Sequence, residues 1–216
     1  MTTAGFLDTG VYVGYCLTVD HHHEPCKRYI TEDADLLFTS ETVLNEYPSA
    51  KRKASTRYSD AVEKHISDVK RSDLEGELGP MDLNRLQNQI LDRRNELHDV
   101  LVEFYDNLPQ FIQYGSLIGK LEALGRDIDT LALQRKRELD AKVDIWDPKE
   151  DYPEIRGDLN LHEPDLTICV EGHDLAVHLA DETELATANP RDFVYDDQRE
   201  RILELTAFSD VVDLSG

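Results

Sequence analysis

The stretch Ala4-Gly5-Phe6-Leu7-Asp8-Thr9-Gly10 places an acid directly after a short apolar run. An apolar run of this length that ends in turn-forming residues is typical of a buried strand, and the apolar residues that follow up to Leu17 favour a short helix. A second strand is predicted at Leu36-Leu37-Phe38, where either Thr39 or Ser40 could cap the next helix. Short apolar strands that alternate with helices predict a parallel sheet, and therefore an α/β fold.

The middle of the chain has a different pattern from its two ends. The helix predicted after the second strand is disturbed at Pro48, and from there the sequence becomes rich in charge, with apolar residues at helical spacing. The repeat is clearest at Leu117, Leu121, Leu124, Ile128 and Leu131. We therefore predict that residues 49–145 form a helical hairpin or bundle inserted into a core made of residues 1–48 and 160–216, with residues 146–159 as the return loop.

The C-terminal part returns to alternating helices and strands. A helix is predicted to begin at Asp165, and a strand to run from Glu184 to Thr187. A further helix at residues 197–205 and a last strand at residues 210–214 follow. These elements would complete the parallel sheet that the N-terminal part begins.

The charge of the chain excludes one class of nucleic-acid-binding protein. The chain carries 45 Asp and Glu against 23 Lys and Arg, so its formal net charge is −22, and binding of a polyanion through bulk positive charge is excluded. So large a like-charge load repels itself in dilute salt, whereas in molar salt the Debye length falls to about 3 Å and the repulsion is screened. The composition is typical of proteins from salt-loving archaea. A solvated acidic surface explains it more simply than a dedicated cation-binding surface.

Other features of the composition favour a cytoplasmic protein. No apolar run approaches the length of a membrane-spanning helix, and the N-terminus lacks a charged-then-apolar leader. Three cysteines, at positions 16, 26 and 169, are too few and too scattered for a disulfide framework. The run His21-His22-His23 lies between the first two cysteines, but its spacing matches no structural zinc pattern and favours a solvated turn. We therefore expect reduced thiols and no membrane association.

Four carboxylates occupy positions from which they can meet. Asp8 follows the first strand, Glu46 lies on the helix after the second, Asp165 begins a helix, and Asp192 follows a core strand. In an open parallel sheet such positions converge beyond the carboxyl ends of the strands. Four carboxylates in one cleft raise one another's pKa unless a cation neutralises them, and oxygen ligands suit Mg²⁺ or Mn²⁺. A metal-activated water at such a site can hydrolyse phosphodiesters.

Four motifs, in this order, resemble those of the PIN-domain nucleases. They are Phe6-Leu7-Asp8-Thr9-Gly10, Thr39-Ser40 with Glu46 six residues later, Asp165-x-x-Ile168 followed by His173-Asp174-Leu175-Ala176, and Thr187-x-Asn189-x-x-Asp192-Phe193. The resemblance covers residues 4–48 and 160–215. It implies a three-layer α/β/α sandwich around a central parallel sheet, one or two Mg²⁺ or Mn²⁺ ions in an acidic pocket, and cleavage of single-stranded RNA. The family includes toxins of toxin–antitoxin pairs as well as RNA-processing enzymes, and the small toxins lack a long helical insertion.

The resemblance also implies roles for individual residues. Asp8 would be the central metal ligand, and Glu46 and Asp165 the second and third catalytic acids. The fourth acidic position is open between Asn189, which stands where many members have Asp, and Asp192, which lies three residues on. Hydroxyl groups that would bind metal waters or position a phosphate belong to Thr9, Ser40 and Thr187.

A basic segment directly follows Glu46 in the sequence. Its members are Lys51, Arg52, Lys53, Arg57 and Lys64. We expect them to contact the RNA backbone at the mouth of the site, with Arg191 opposite, because phosphate contacts position a nucleic acid without reading its sequence. The alternative is a salt-bridged helix face among many acids.

Together these features predict a Mg²⁺- or Mn²⁺-dependent endoribonuclease that acts in RNA processing or as a toxin. Its partners would be single-stranded RNA, an antitoxin protein and, through the apolar stripes of the inserted helices, a second copy of the chain. A different class of protein is a PIN-like scaffold that binds RNA or protein without cutting, which the neutral Asn189 favours. A phosphohydrolase with Asp8 as nucleophile is disfavoured, because the second Asp expected two residues later is Gly10.

Overall fold

The computed structural model describes residues 2–91, 98–179, 182–195 and 197–215. Within these residues the strands are β1 Thr3–Leu7, β2 Leu36–Ser40, β3 Glu77–Leu78, β4 Ile112–Gln113, β5 Asp144–Trp146, β6 Glu182–Thr187 and β7 Asp210–Asp213. The helices are α1 Thr9–Cys16, α2 His23–Arg28, α3 Glu41–Lys70, α4 Pro80–Leu91, α5 His98–Asp106, α6 Tyr114–Asp140, α7 Pro153–Asp158, α8 Asp165–His178, α9 Pro190–Phe193 and α10 Gln198–Leu205. A π-helical turn, Tyr29–Asp33, follows α2.

Five parallel strands form the central sheet in the order β5-β2-β1-β6-β7. β1 lies in the middle, where Phe6 is opposite Phe38 of β2 on one side and Leu185 of β6 on the other. The apolar residues of β1 are fully buried, as the run of Phe6 and Leu7 predicts for a strand covered on both faces. Helices flank this sheet, so the predicted α/β class with a central parallel sheet is confirmed.

The chain divides into two compact units. One unit comprises the chain up to Arg52 together with the chain from Leu133 onward, and the other comprises Lys53–Ala132. The first unit contains all five strands of the central sheet. The boundaries differ from those predicted for the insertion, residues 49–145, because the first turns of α3 and the last turns of α6 belong to the unit with the sheet.

The second unit is helical apart from one small antiparallel pair, β3 with β4. Its apolar stripes form its core: Leu117, Leu121 and Ile128 of α6 are buried, whereas Leu131 is 41% exposed. Residues 92–97 of the predicted insertion lie outside the described residues. Among the described residues, no helix combines the length and the apolarity needed to cross a bilayer.

Two features of the first unit differ from the sequence prediction. The residues Asp144–Trp146 form β5 at the edge of the sheet, beside β2, where we predicted the end of the insertion and the start of a loop. This strand has only three residues, of which Ile145 is 57% exposed, so it has no apolar run that a sequence pattern could detect. The helix α3 also continues through Pro48 to Lys70. A proline inside a helix costs about 3 kcal/mol, and the burial of Val43 and Tyr47 on the same helix offsets this cost.

Helix α8 packs closely on the sheet because of one glycine. A Cβ atom at Gly172 would lie 2.6 Å from Cζ of Phe208 and 2.8 Å from Cδ1 of Phe6. The absence of a side chain therefore lets the helix approach β1, the strand that ends at Asp8. This packing fixes the helix on which Asp165 is the first residue.

Candidate functional site

The candidate site lies at the carboxyl ends of β1 and β6. The chain leaves β1 towards β2 on one side and later returns as β6 on the other side, so the sheet has its topological switch point between β1 and β6. Open parallel sheets bind ligands beyond the strand ends at this point. Asp8 directly follows β1, and Thr187 is the last residue of β6.

Asp8 is held by hydrogen bonds from two elements. Its Oδ1 accepts a hydrogen bond of 2.7 Å from the backbone N–H of Val11, so that the side chain caps α1. Its Oδ2 accepts a hydrogen bond of 2.5 Å from the Thr187 hydroxyl. The side chain is only 2% exposed. Burial raises the pKa of Asp8 to about 6, although the hydrogen bonds from Thr187 and Val11 lower it, and the charge of Glu46 raises it further.

Glu46 reaches the same place from α3. Its carboxylate accepts a short hydrogen bond from the hydroxyl of Thr9, the residue after Asp8. Ser40 is the last residue of β2, directly before α3, and its Oγ accepts a hydrogen bond of 3.4 Å from the backbone N–H of Val43. The hydroxyls of Thr9, Ser40 and Thr187 are therefore engaged with protein groups. In this structure they orient carboxylates or begin a helix.

Asp165 is the residue at which the acids come together. Burial raises the pKa of Asp165 to about 7, and the negative charges of Asp192, Asp8 and Glu46 raise it as well. These residues come from α9, from the end of β1 and from α3, all within the unit that contains the central sheet. The other three sequence-predicted acids thus all act on Asp165, and Glu46 acts on Asp8 as well.

Asn189 and Asp192 are linked to each other. The side-chain amide of Asn189 donates a hydrogen bond of 2.5 Å to Oδ2 of Asp192, and its backbone N–H donates one of 2.9 Å to the Thr187 hydroxyl. Asp192 is the carboxylate that acts most strongly on Asp165. Asp192 is thus the charged member of this pair that acts on Asp165, and Asn189 is bonded to it.

Close packing at this site explains why position 10 is a glycine. A Cβ atom at position 10 would lie 3.2 Å from Oδ1 of Asp8 and 3.4 Å from the backbone of Ala188. Contacts at these distances are tight, so a larger residue would press the first turn of α1 against the segment that follows β6.

The carboxylates do not form a preassembled metal cage. Among the described residues, three ligand atoms from different residues lie within 4.8 Å of one another only at Asp20, His21 and His22, which is a separate cluster. A cation among the four acids would therefore be held directly by one or two carboxylates and through water by the others. Mg²⁺ commonly binds in this way, because it keeps several waters in its shell.

Asp174, which lies in the third motif, has a different role from Asp165. It is fully buried and accepts hydrogen bonds from the Trp146 indole, the backbone N–H groups of Lys149 and Glu150, and the Tyr152 hydroxyl. Burial raises the pKa of Asp174, but these hydrogen bonds outweigh burial and hold it below its usual value. Asp174 thus anchors the chain that follows β5 to α8.

Arg156 organises the segment before α8. It donates hydrogen bonds to Asp151 at 2.5 Å, to Glu163 at 3.3 Å and to Thr167 at 3.0 Å. Glu163 and Thr167 flank Asp165, so this network fixes the start of α8 where Asp165 lies. Sequence reasoning did not find this residue, because nothing in the spacing of Arg156 indicates its partners.

The predicted basic segment is shared between the two units. Lys51 and Arg52 belong to the unit that contains the sheet, whereas Lys53, Arg57 and Lys64 belong to the helical unit. All five residues lie on α3, and Arg191 is exposed on α9.

The structure adds two basic residues that the sequence analysis did not connect with this site. Lys136 lies 5.5 Å from the ring centre of Tyr47, and Arg135 lies 6.0 Å from that of Tyr15. Tyr47 follows Glu46 in the sequence, and Lys51 lies one turn further along α3. The positive charges of Lys136 and Lys51 both act on the buried thiol of Cys16. Lys136 and Tyr47 are far apart in the sequence, so no sequence pattern connects them.

Comparison with protein-family models, with curated proteins and with solved structures gives no significant match to this chain. The function must therefore be argued from the site itself.

Proposed function

We propose that the chain is a metal-dependent endoribonuclease that hydrolyses phosphodiester bonds of single-stranded RNA, with a PIN-like arrangement of its catalytic acids. The observation that carries the proposal is the meeting of Asp8 and Glu46 at the end of β1, where Thr187 donates to Asp8 and the adjacent Thr9 donates to Glu46. The charges of Asp192, Asp8 and Glu46 also raise the pKa of Asp165. Carboxylates that raise one another's pKa in a partly buried site are characteristic of places where a cation or a proton is bound. The position at the switch point of a parallel sheet supports a ligand site there.

In this proposal the four acids hold Mg²⁺ or Mn²⁺. Asp8 is the central ligand, because its carboxylate lies at the end of β1 and is fixed by Val11 and Thr187. Glu46, Asp165 and Asp192 would hold the metal directly or through water, with Asn189 bonded to Asp192. A bound Mg²⁺ or Mn²⁺ would supply a water of lowered pKa and neutralise charge on the phosphate.

In this proposal the hydroxyls of Thr9 and Thr187 act on the metal site indirectly, by donating hydrogen bonds to its carboxylates. Thr187 donates to Asp8, which favours the ionised form of Asp8 that a metal requires, and Thr9 donates to Glu46 and holds its carboxylate beside Asp8. Groups in this position typically change metal affinity by tenfold or more. Thr9 and Thr187 are therefore proposed as positioning residues, and Ser40 as the start of α3.

The RNA backbone would be held by the basic residues of the sheet-bearing unit. Lys51, Arg52, Arg135 and Lys136 are the candidates in a chain whose net charge is −22, although Arg135 pairs with Glu138 and Lys136 with Asp140, so RNA would have to compete with these acids. Salt would screen the repulsion from the other acids but would weaken these contacts too, and the contacts would position RNA without reading its sequence. Action as a toxin with an antitoxin partner, action in RNA processing, and homodimerisation through the helical unit all remain parts of the proposal.

Cleavage of labelled single-stranded RNA in molar salt tests the proposal. The wild-type chain is expected to cleave with Mg²⁺ or Mn²⁺ and not with EDTA, and Asp8→Asn and Asp165→Asn are expected to lose cleavage. Asp147→Asn is a matched control, because the Asp147 side chain is 92% exposed and pairs only with Lys149 in the ion pair described for it. Cleavage that survives in EDTA or in Asp8→Asn would overturn the metal mechanism.

A second candidate function is an RNA-binding scaffold without catalysis. It is favoured by the neutral Asn189 beside Asp192 and by the carboxylates' failure to form a close group of three ligands among the described residues. Under this function the same assay gives RNA binding by the wild type with no metal-dependent product.

A further inference from the structure

A histidine pair at the connection between α1 and α2 forms a cluster that the proposed nuclease mechanism does not use. Asp20, His21 and His22 each present a potential ligand atom, and these atoms all lie within 4.8 Å of one another. The cluster belongs to the unit that contains the sheet. It contains two imidazoles, whereas the four acids at the end of β1 offer only oxygen.

The imidazole of His22 is oriented by the backbone. Its Nδ1 lies 3.1 Å from the carbonyl oxygen of Ser215, which can only accept, so Nδ1 carries the proton and donates it. This tautomer leaves the lone pair of Nε2 free for a ligand bond. A backbone carbonyl on one ring nitrogen is the usual partner of a histidine that binds metal through the other nitrogen.

The turn that carries the cluster is fixed before any ligand binds. Oδ1 of Asp20 accepts a hydrogen bond of 2.9 Å from the backbone N–H of His22, and the backbone N–H of His23 donates one of 2.9 Å to the carbonyl of Asp20. The side chain of His23 is buried and bonds to the carbonyl of Gly14 at 3.1 Å. A Cβ atom on Gly14 would come within 3.1 Å of Cβ of His22, so the helix α1 approaches the turn closely. The prediction of a solvated turn is therefore wrong for His23.

The separation of Asp20 and His21 is close to that of two ligands of a tetrahedral ion. Oδ1 of Asp20 lies 3.6 Å from Nδ1 of His21. Two ligands that are each about 2.0 Å from a tetrahedral zinc ion lie about 3.3 Å apart. A shift of a few tenths of an ångström would therefore bring this pair to ligation distance. The carboxylate of Asp213 is close enough to act on His22, and adds negative charge around the cluster.

We propose that Asp20, His21 and His22 bind a borderline divalent cation of the zinc class, at a site separate from the acids around Asp8. Two imidazoles and one carboxylate select Zn²⁺, Co²⁺ or Cu²⁺ over Mg²⁺, which prefers oxygen ligands. The fourth position is open to water. The bound ion would join the α1–α2 connection to the segment that follows β7, because Ser215 holds the His22 ring.

Zinc titration of the tag-free, metal-stripped chain tests the proposal. Calorimetry is carried out in molar salt with excess Mg²⁺, so that oxygen-only sites are occupied, and Co²⁺ absorption reports tetrahedral nitrogen ligation. The wild type is expected to bind one Zn²⁺. His21→Gln and His22→Gln are each expected to weaken binding by more than about tenfold.

Three further variants complete the test. His162→Gln removes an exposed histidine outside the cluster and should bind Zn²⁺ like the wild type. Asp20→Asn keeps an oxygen that can accept the His22 N–H hydrogen bond but removes the charge, so it should weaken binding without loss of the fold. Asp8→Asn should bind Zn²⁺ like the wild type, which separates this site from the proposed catalytic one. The proposal is overturned if the wild type binds no Zn²⁺, if His21→Gln and His22→Gln bind it as tightly as His162→Gln, or if binding depends on Asp8.

Discussion

The hydroxyl of Thr187 lies 2.5 Å from Oδ2 of Asp8, although 179 positions separate the two residues in the chain. The contact joins the ends of the adjacent parallel strands β1 and β6. It lowers the pKa of a carboxyl group that burial raises. The end of β6 therefore helps to decide how readily Asp8 ionises.

Removal of this donor is expected to raise the pKa of Asp8 and to weaken metal binding. In Thr187→Val, Oδ2 of Asp8 loses the hydrogen bond from this hydroxyl, and an unsatisfied buried group costs about 1–3 kcal/mol. Metal-dependent cleavage should shift to higher pH and require more Mg²⁺, with Thr187→Ser close to the wild type. Thr31→Val is a control, because the exposed Thr31 hydroxyl bonds only to the carbonyl of Lys27 in the contact described for it. Equal pH profiles for Thr187→Val and Thr31→Val would contradict the role of Thr187.

The stability of the metal-free chain is expected to fall as the pH rises. The pKa values of Asp8, about 6, and Asp165, about 7, lie above the ordinary value of 3.8, so the folded state binds more protons than the unfolded state between these limits. The contribution of these two groups to the free energy of unfolding is fully present below about pH 4 and is lost as the pH rises through 6 and 7. For Asp8 alone, the loss in the free energy of unfolding between pH 4 and pH 8 is on the order of 3 kcal/mol.

Urea denaturation at constant molar salt measures this pH dependence. In EDTA, Asp8→Asn should flatten the curve and be more stable than the wild type at pH 8, because the amide carries no charge. Mg²⁺ should stabilise the wild type at pH 8 and have little effect on the variant. A wild-type curve that is flat between pH 5 and pH 8 would show that burial does not disfavour the ionised acids.

Asp174 is expected to behave as a structural acid. Asp174→Asn replaces an acceptor oxygen by an amide donor within a set of four donors, so it should destabilise the fold by about 2–4 kcal/mol near neutral pH. Because the folded pKa of Asp174 lies below its usual value, its stabilising contribution is present above the ordinary pKa and disappears as the pH falls through the folded value. Thermal unfolding should show a large loss for Asp174→Asn at pH 7 and none for the exposed Asp147→Asn. Similar melting temperatures for the two variants would assign Asp174 no anchoring role.

The contact between α8 and the sheet is expected to tolerate no side chain at position 172. Gly172→Ala would place a Cβ atom within 3 Å of the rings of Phe208 and Phe6, and such overpacking costs about 1–3 kcal/mol. Gly119→Ala is the matched control, because Gly119 lies within α6 and a Cβ there meets nothing within 4 Å. It should raise stability by about 0.5–1 kcal/mol through helix propensity. Opposite signs in urea denaturation are expected, and equal signs would mean that the rings move aside.

Neutralisation of basic residues on α3 is expected to weaken RNA binding uniformly across sequences. Lys51→Gln, Arg52→Gln and Lys53→Gln together should lower the affinity of Asp8→Asn for single-stranded RNA. Each lost phosphate contact should reduce the slope of log affinity against log salt by about 0.7. Lys27→Gln is a control, because Lys27 pairs with Glu24 on α2. An unchanged salt slope in the triple variant would favour a salt-bridged helix face.

The sequence predicted the elements whose signals are local. β1 and β2 were recognised from their apolar runs, and the helix that begins at Asp165 was placed correctly. β5 was missed because three partly exposed residues at a sheet edge carry no pattern. The continuation of α3 through Pro48 was missed because buried neighbours outweighed a local rule.

The sequence predicts the acids of the candidate site but not the hydrogen bonds that hold those acids in place. Asp8, Glu46, Asp165 and Asp192 follow strands or lie on the adjoining helices, so a parallel sheet is enough to suggest that they meet. Two hydrogen bonds depend on side-chain orientation in three dimensions: the one from Asn189 to Asp192, and the one from Arg156 to Glu163 before the start of α8. The contact of Lys136 with the Tyr47 ring likewise depends on how α3 and α6 are placed, which no spacing encodes.

The double engagement of Asp8 limits which replacements are informative at that position. Its carboxylate begins α1 as well as facing the other acids, so an alanine there would remove a helix start worth about 1 kcal/mol together with the charge. If the Asp8→Ala variant were inactive, the result would not distinguish a misfolded protein from one that lacks the catalytic carboxylate. Asp8→Asn separates the two effects, because the amide keeps the helix start and removes only the charge. An alanine scan of this chain would therefore misjudge the role of Asp8, on which the site is centred.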